Sequence, residues 1–228
     1  MPEFAVVFPL YPGVTQLDFT GPHQVFSRLP DVKVTAASLG GRDIAADGLV
    51  FSSLADLAKV ERCDLLCVPG GFGTTEAMLD EAFVREIRRL AVGATYVASV
   101  CTGSLILAAA GRLAGKRAAT HWAWRELLVP FGVTVDEGRV VRDGNVFTGG
   151  GVTAGIDLAL TVAAEVAGET YARGVQLGIE YAPAPPFDSG RPELAPPEVL
   201  ARVKAAMEPL AKSRYGAAEE AARRLQPA

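Results

Sequence analysis

Three observations in this 228-residue chain predict an α/β fold, a doubly wound, mostly parallel sheet with helices on both faces. Short apolar runs alternate with longer amphipathic ones along most of the sequence, the pattern of strand–helix–strand units. Two apolar runs end abruptly on turn residues: Asp64–Val68 enters Pro69-Gly70-Gly71, and Tyr96–Val100 stops on Cys101. Ser99 and Gly103 bracket Cys101 as the outer glycines bracket the serine of a G-x-S-x-G nucleophile elbow, where a sharp strand-to-helix turn lifts the side chain out of the sheet. In such a fold the site lies beyond the carboxyl ends of the strands, where both Cys101 and the Gly70-Gly71 turn fall.

The elements follow in order. Ala5–Phe8 is a first buried strand, followed by a Gly/Pro-rich turn and a helix over Pro22–Leu29 with Pro22 in its permissive first turn. Val32–Ala37 is a second strand, and Gly48–Ser52 suits half of a hairpin. After the Asp64–Val68 strand, one helix is expected over Thr74–Leu90, with Ala77, Met78, Leu79, Phe83, Ile87 and Leu90 inward and Arg85, Arg88 and Arg89 outward. Beyond the elbow, Leu105–Ala110 is too apolar to face solvent and belongs under the sheet. Gly111 and Gly115 are stop signals, and a short helix is expected over His121–Val129. Val133–Val135, Val140–Val141 and Val146–Thr148 are short strands, the last two joined by Asp143-Gly144-Asn145. Gly149-Gly150-Gly151 leads into a long helix over Val152–Val166.

Residues 1–180 are thus expected to form one α/β domain, and 181–228 an appended arm and helix. From Tyr181 to Pro197 the density of proline excludes a helix or a central strand, leaving an extended arm. Tyr181 and Phe187 give it apolar anchors, for its own core or a second subunit. A final helix is expected from Pro197 to Leu225.

Composition narrows the function. With 50% hydrophobic and 21% charged residues, the chain suffices for one substantial core. A net charge of -4 argues against nucleic acid or an anionic membrane as partner and favours a small soluble substrate. The start Met1-Pro2-Glu3-Phe4 lacks the basic region and long apolar stretch of a signal peptide, and three cysteines suit a reducing compartment, so the cytoplasm is expected.

The chemistry centres on Cys101. A thiol at a helix N-terminus meets unpaired N–H groups and the positive end of the helix dipole, which can lower its pKa from ~8.5 to roughly 3.5–7.5. The alternative is a small buried hydrophobe, as most free cysteines are. Asp18, just ahead of the expected first helix, reads locally as an N-cap. Cys63 and Cys67 lack the partners of a zinc set, and no phosphate-binding loop or dinucleotide fingerprint is present. No metal and no cofactor is therefore expected.

Several blocks together carry a resemblance: Gln16-Leu17-Asp18-Phe19-Thr20-Gly21-Pro22, Val68-Pro69-Gly70-Gly71, Ser99-Val100-Cys101-Thr102-Gly103-Ser104, Ala119-Thr120-His121-Trp122, Thr148 to Asp157, and Glu180 to Phe187. They span nearly the whole chain, which resembles the ThiJ/PfpI superfamily, with its flavodoxin-like, class I glutamine-amidotransferase-like fold. The first five blocks are shared with the sensor domains of AraC-type regulators. The Tyr-Ala-Pro-Ala-Pro-Pro-Phe arm points to the isocyanide-hydrating branch.

That resemblance implies a homodimer that hydrates isocyanides to N-substituted formamides, with Cys101 as nucleophile and Asp18 as general acid and base. Gly71 and the Thr102 N–H would stabilise the intermediate. Gly150, Gly151, Val152, Phe72, His121 and Trp122 would border the pocket. Thr102 stands where many members carry histidine, which excludes an adjacent Cys-His dyad, and Asp18 replaces the glutamate usual across the superfamily. His121 is expected to pack and hydrogen-bond near its short helix. Another cysteine-dependent activity on a small carbonyl or amide, or a non-enzymatic redox sensor, would use the same thiol. A transcription regulator is not expected, since too little chain follows the core for a helix-turn-helix.

Overall fold

Along residues 3–225, which the computed structural model describes, strands and helices alternate as the apolar periodicity predicts. The first half comprises β1 (Phe4–Pro9), α1 (Gln16–Phe26), β2 (Val32–Ser38), β3 (Ile44–Ala46), β4 (Leu49–Phe51), β5 (Ala55–Asp56), β6 (Leu65–Val68), α2 (Thr74–Ala77), α3 (Glu81–Gly93) and β7 (Tyr96–Val100). The second comprises α4 (Gly103–Ala109), β8 (Arg117–Ala118), β9 (Thr134–Val135), β10 (Val140–Asp143), β11 (Val146–Gly149), α5 (Ala154–Ala167), α6 (Glu169–Gly178) and α7 (Pro197–Leu225).

Seven strands form the central sheet in the order β10-β11-β7-β6-β1-β2-β5, parallel except where β10 pairs antiparallel with β11. The chain winds outward from β1 in both directions, so the strand order reverses between β1 and β6, and the crevice beyond their carboxyl ends is the place such folds leave for a ligand. The core is drawn from β1, β6 and β7, whose residues Phe8, Leu65, Leu66, Cys67, Val97 and Ala98 are fully buried. Every residue of α4 is buried, as its composition predicts.

Four boundaries differ from the sequence expectation. Helix α1 starts at Gln16, so Pro22 lies inside it and Asp18 in its first turn, not at its cap. Pro22 is accommodated by close packing on α5, where a Cβ on Gly155 would sit 3.1 Å from its ring. The expected Thr74–Leu90 helix is broken, because Asp80 Oδ1 accepts from the Ala82 and Phe83 N–H groups at 3.0 and 3.1 Å and starts a new helix. The expected His121–Val129 helix is a 3₁₀ run over Trp122–Phe131, capped by His121 and containing Pro130. Helix α6, separated from α5 by Gly168 with φ of 89°, was not anticipated.

Helix α7 matches its expected bounds, and its C-terminal half buries Arg214, Ala217, Ala218, Ala221 and Ala222 against the domain. In the arm, the Tyr181 hydroxyl donates to Asp157 Oδ2 at 3.1 Å, whereas Phe187 is 78% exposed and anchors nothing within this chain. Among the described residues, no helix is long and apolar enough to cross a membrane.

Candidate active site

Strand register assembles the site. Pairing of Val68 with Ser99 sets the turn after β6 beside the turn after β7, so Gly70 and Cys101 are neighbours. Cys101 has φ of 55°, a left-handed conformation that costs a non-glycine residue about 1–3 kcal/mol and persists only when its surroundings enforce it. They do so through both backbone groups. The Cys101 N–H donates to the carbonyls of Gly149 and Gly150 at 3.1 and 2.8 Å. Its own carbonyl accepts from the Thr120 and Ser104 hydroxyls at 3.0 and 3.1 Å. Glycine is required at position 103, where a Cβ would overlap the Val68 carbonyl oxygen. The elbow expected from Ser99, Cys101 and Gly103 is thus present.

Asp18 is fully buried, and its Oδ2 accepts the Gly70 N–H at 2.9 Å. Its Oδ1 has no hydrogen-bond partner among the described residues. Burial pushes the Asp18 carboxyl up to about 7, against the Gly70 N–H and the neighbouring Cys101 thiol, which favour its charge. The Cys101 thiol is also pushed up, by burial first and by the charge of Asp18 second. The Thr102 N–H and hydroxyl and the Arg214 guanidinium act in the opposite direction. The depressed thiol expected from a helix N-terminus is therefore not what this environment produces: desolvation and the charge of Asp18 outweigh the Thr102 donors and the Arg214 charge. Both acids are raised by burial, and in this buried place each charged form opposes the other.

The turn after β6 corrects a second expectation. The Gly71 N–H donates to Thr102 Oγ1 at 3.0 Å and so is engaged, whereas the Thr102 N–H is directed at the sulfur. Thr102 Oγ1 also lies 2.8 Å from Thr74 Oγ1, which is 3.1 Å from the buried Tyr11 hydroxyl. Gly150, Gly151, Val152, His121 and Trp122 border a cavity of about 280 Å³, together with Thr120 and the arm residues Gly190–Glu193, but neither Cys101 nor Asp18 lines it. Phe72 does not join them; it is 71% exposed, because the Gly71 turn throws it outward. His121 Nδ1 accepts the Ala123 N–H at 3.3 Å, and burial with the charges of Arg214 and Arg125 lowers its pKa to about 4, so it is a neutral cap.

Tyr11, Thr74 and Arg214 were missed in the sequence. A signal for Arg214 existed: with Ala217, Ala218, Ala221 and Ala222 it occupies the i, i+3, i+4, i+7, i+8 stripe of α7, an arginine on the buried face of a helix. Cys63 and Cys67 are buried free thiols, Cys63 pushed up to about 12 by burial. No group of three or more His, Cys, Asp or Glu side chains able to hold a metal ion occurs among the described residues.

Known proteins place the chain. It is 49% identical to isonitrile hydratase of Pseudomonas putida over 222 residues, 96% of each protein. Protein dj-1beta of Drosophila melanogaster is 31% identical over 75% of this chain and 93% of its own length. The crystal structure of a ThiJ/PfpI family protein from Pseudomonas syringae superposes with a TM-score of 0.92 at 37% identity, covering 96% of this chain and 91% of that one. The sequence pattern of the DJ-1/PfpI family matches residues 5–165, which hold Asp18, the Gly70-Gly71 turn and the Cys101 elbow, and the chain belongs to that family.

Proposed function

We propose that this protein is an enzyme that hydrates organic isocyanides, R–N≡C, to N-substituted formamides, with Cys101 as nucleophile and Asp18 as proton donor and acceptor. One observation carries the reading: a buried carboxyl, raised to about 7 and with Oδ1 unpartnered within the described residues, adjoins a cysteine held in an elbow. Similarity to a protein named isonitrile hydratase along nearly the full chain supports the substrate class.

The isocyanide carbon accepts a nucleophile and then needs a proton at that same carbon. With a proton on Asp18 and none on the thiol, the Cys101 sulfur bonds to the carbon and Asp18 protonates it, giving the thioimidate R–N=CH–S–Cys and an ionised Asp18. Water then adds across the C=N bond; Asp18 takes one water proton and passes it to nitrogen, leaving R–NH–CH(OH)–S–Cys. Asp18 next takes the hydroxyl proton as the C–S bond breaks. The products are R–NH–CHO, a sulfur anion and a protonated Asp18, which is the starting state. The Thr102 N–H at the sulfur favours its charge both at attack and at release.

The exposed Phe187 supports contact of the arm with a second copy in a homodimer. Incubation with an alkyl or aryl isocyanide, followed by substrate loss and formamide appearance, tests the reading. Wild type is expected to turn over and Cys101→Ala is not; formamide production by a folded Cys101→Ala protein would exclude the covalent route.

A further inference from the structure

Arg214 is 2% exposed, yet no carboxylate binds it. Its Nη2 donates to the carbonyls of Gly71 and Phe72 at 3.1 and 2.9 Å, and its Nε to Thr75 Oγ1 at 3.2 Å. The guanidinium lies 4.6 Å over the Trp124 ring. A guanidinium keeps its proton even when buried, so a fixed positive charge stands behind the turn whose Gly71 N–H holds Thr102. Burying such a charge without an anion is costly, which makes its neighbours informative. The ionisable groups facing it are Cys101, Tyr11, His121 and Glu76; His121 is held neutral, and Glu76 lies on the exposed side of α2.

When the Asp18–Cys101 pair gives up a proton, the surroundings decide which atom carries the charge. Cys101 is faced by Asp18 from α1, by Tyr11 from the segment after β1 and by Arg214 from α7. Arg214 favours charge on the sulfur, whereas Asp18 is stabilised by Gly70 and Cys101 and opposed by Asp47, with no cation acting on it. We propose that Arg214 is the fixed counter-charge of the Cys101 sulfur anion and a positioning residue that clamps the Gly71–Phe72 turn against Thr102, so that helix α7 completes the site. This deepens the proposed function and rests on Cys101 being its nucleophile. Arg214 lies beyond residue 165, where the match to the family pattern ends, so the reactivity of the elbow is set from an extension outside that shared core.

The test is the pH dependence of Cys101 alkylation by iodoacetamide, mapped by mass spectrometry on the full chain, with folding checked by circular dichroism. Arg214→Gln retains donors for the carbonyls without the charge; its alkylation midpoint is expected to rise by about one pH unit or more. Arg214→Lys retains the charge and is expected to recover most of that shift. An unchanged midpoint in Arg214→Gln, or equal shifts in both variants, would overturn the counter-charge role. Asp18→Asn, which removes the competing anion, gives a second reading independent of whether the arginine variants fold. Its thiol, still raised by burial, is expected to titrate below the wild-type thiol because the Arg214 charge then acts on it without the opposing anion, and a midpoint no lower than that of wild type would refute the proposal. Alkylation uses no isocyanide, so failure of the hydratase reading and failure of this one are separable.

Discussion

The Gly70 N–H donates to Oδ2 of Asp18 at 2.9 Å, which assigns the two carboxyl oxygens different work. Oδ2 is fixed by the backbone, and Oδ1, unpartnered among the described residues, is the oxygen that can carry and release a proton. Asp18→Asn keeps the shape and can still accept from Gly70 but cannot exchange a proton. Turnover of an isocyanide is expected to fall by a factor on the order of 10² to 10⁴, the usual contribution of a general acid–base. Circular dichroism is expected to remain that of wild type. Normal turnover in the folded variant would return Asp18 to a structural role in the first turn of α1.

The same carboxyl makes stability depend on pH. Its pKa in the folded protein is raised from 3.8 to about 7, so the native state binds more protons than the unfolded chain between those values. Its contribution is fully present below the unfolded pKa and is lost as pH rises through about 7. Asp18→Asn is free of this loss. Urea unfolding is expected to show the variant gaining on wild type from about pH 4 to pH 8, by up to roughly 4 kcal/mol at 1.36 kcal/mol per pKa unit. A constant difference across that range would show that Asp18 is not held protonated by burial.

Thr102 accepts the Gly71 N–H through the hydroxyl that also meets Thr74. Thr102→Val preserves shape and leaves that buried N–H unpaired, at a cost of about 1–3 kcal/mol in unfolding free energy. Because the backbone N–H of residue 102 remains, the thiol keeps one of its two local stabilisers. Turnover is therefore expected to fall about tenfold rather than vanish, and parallel activity and urea measurements on the same preparation would separate the two effects.

How much of this was legible in the sequence depended on whether the cause was local. The elbow was readable because its geometry is written in adjacent residues: a small residue, a cysteine, and Gly103, whose missing Cβ clears the Val68 carbonyl. The order of the strands was readable from apolar runs and turn residues. The boundary of α1 was not, since Pro22 signalled a first turn while its packing on Gly155 of α5, distant in sequence, allows it mid-helix. The thiol's electrostatics were misjudged for the same reason: a helix terminus is visible locally, but complete burial beside Asp18 is a tertiary fact. Phe72 is expected as an apolar wall of the pocket, but the turn sends it to solvent. A lone arginine on a helix is usually solvated, so the one sequence mark of Arg214 is its spacing with the buried alanines of α7.

Gly103 offers the sharpest test of the elbow as a packed object. A Cβ at this position would overlap the Val68 carbonyl oxygen and crowd Pro69, all of them backbone atoms that cannot swing aside as a side chain can. Relief would require β6 and β7 to separate at the register that sets Gly70 beside Cys101. Gly103→Ala would otherwise be mildly favourable, since alanine is the better helix former by about 1 kcal/mol. The overlap is expected to reverse that sign and destabilise the protein by about 3 kcal/mol or more, with loss of Cys101 alkylation selectivity as the elbow opens. Gly93, at the end of α3 with open space around its hypothetical Cβ, is the matched control. Gly93→Ala is expected to leave both urea midpoint and turnover near wild type, and a Gly103→Ala midpoint as little changed as that of Gly93→Ala would mean that the contact with β6 does not govern position 103.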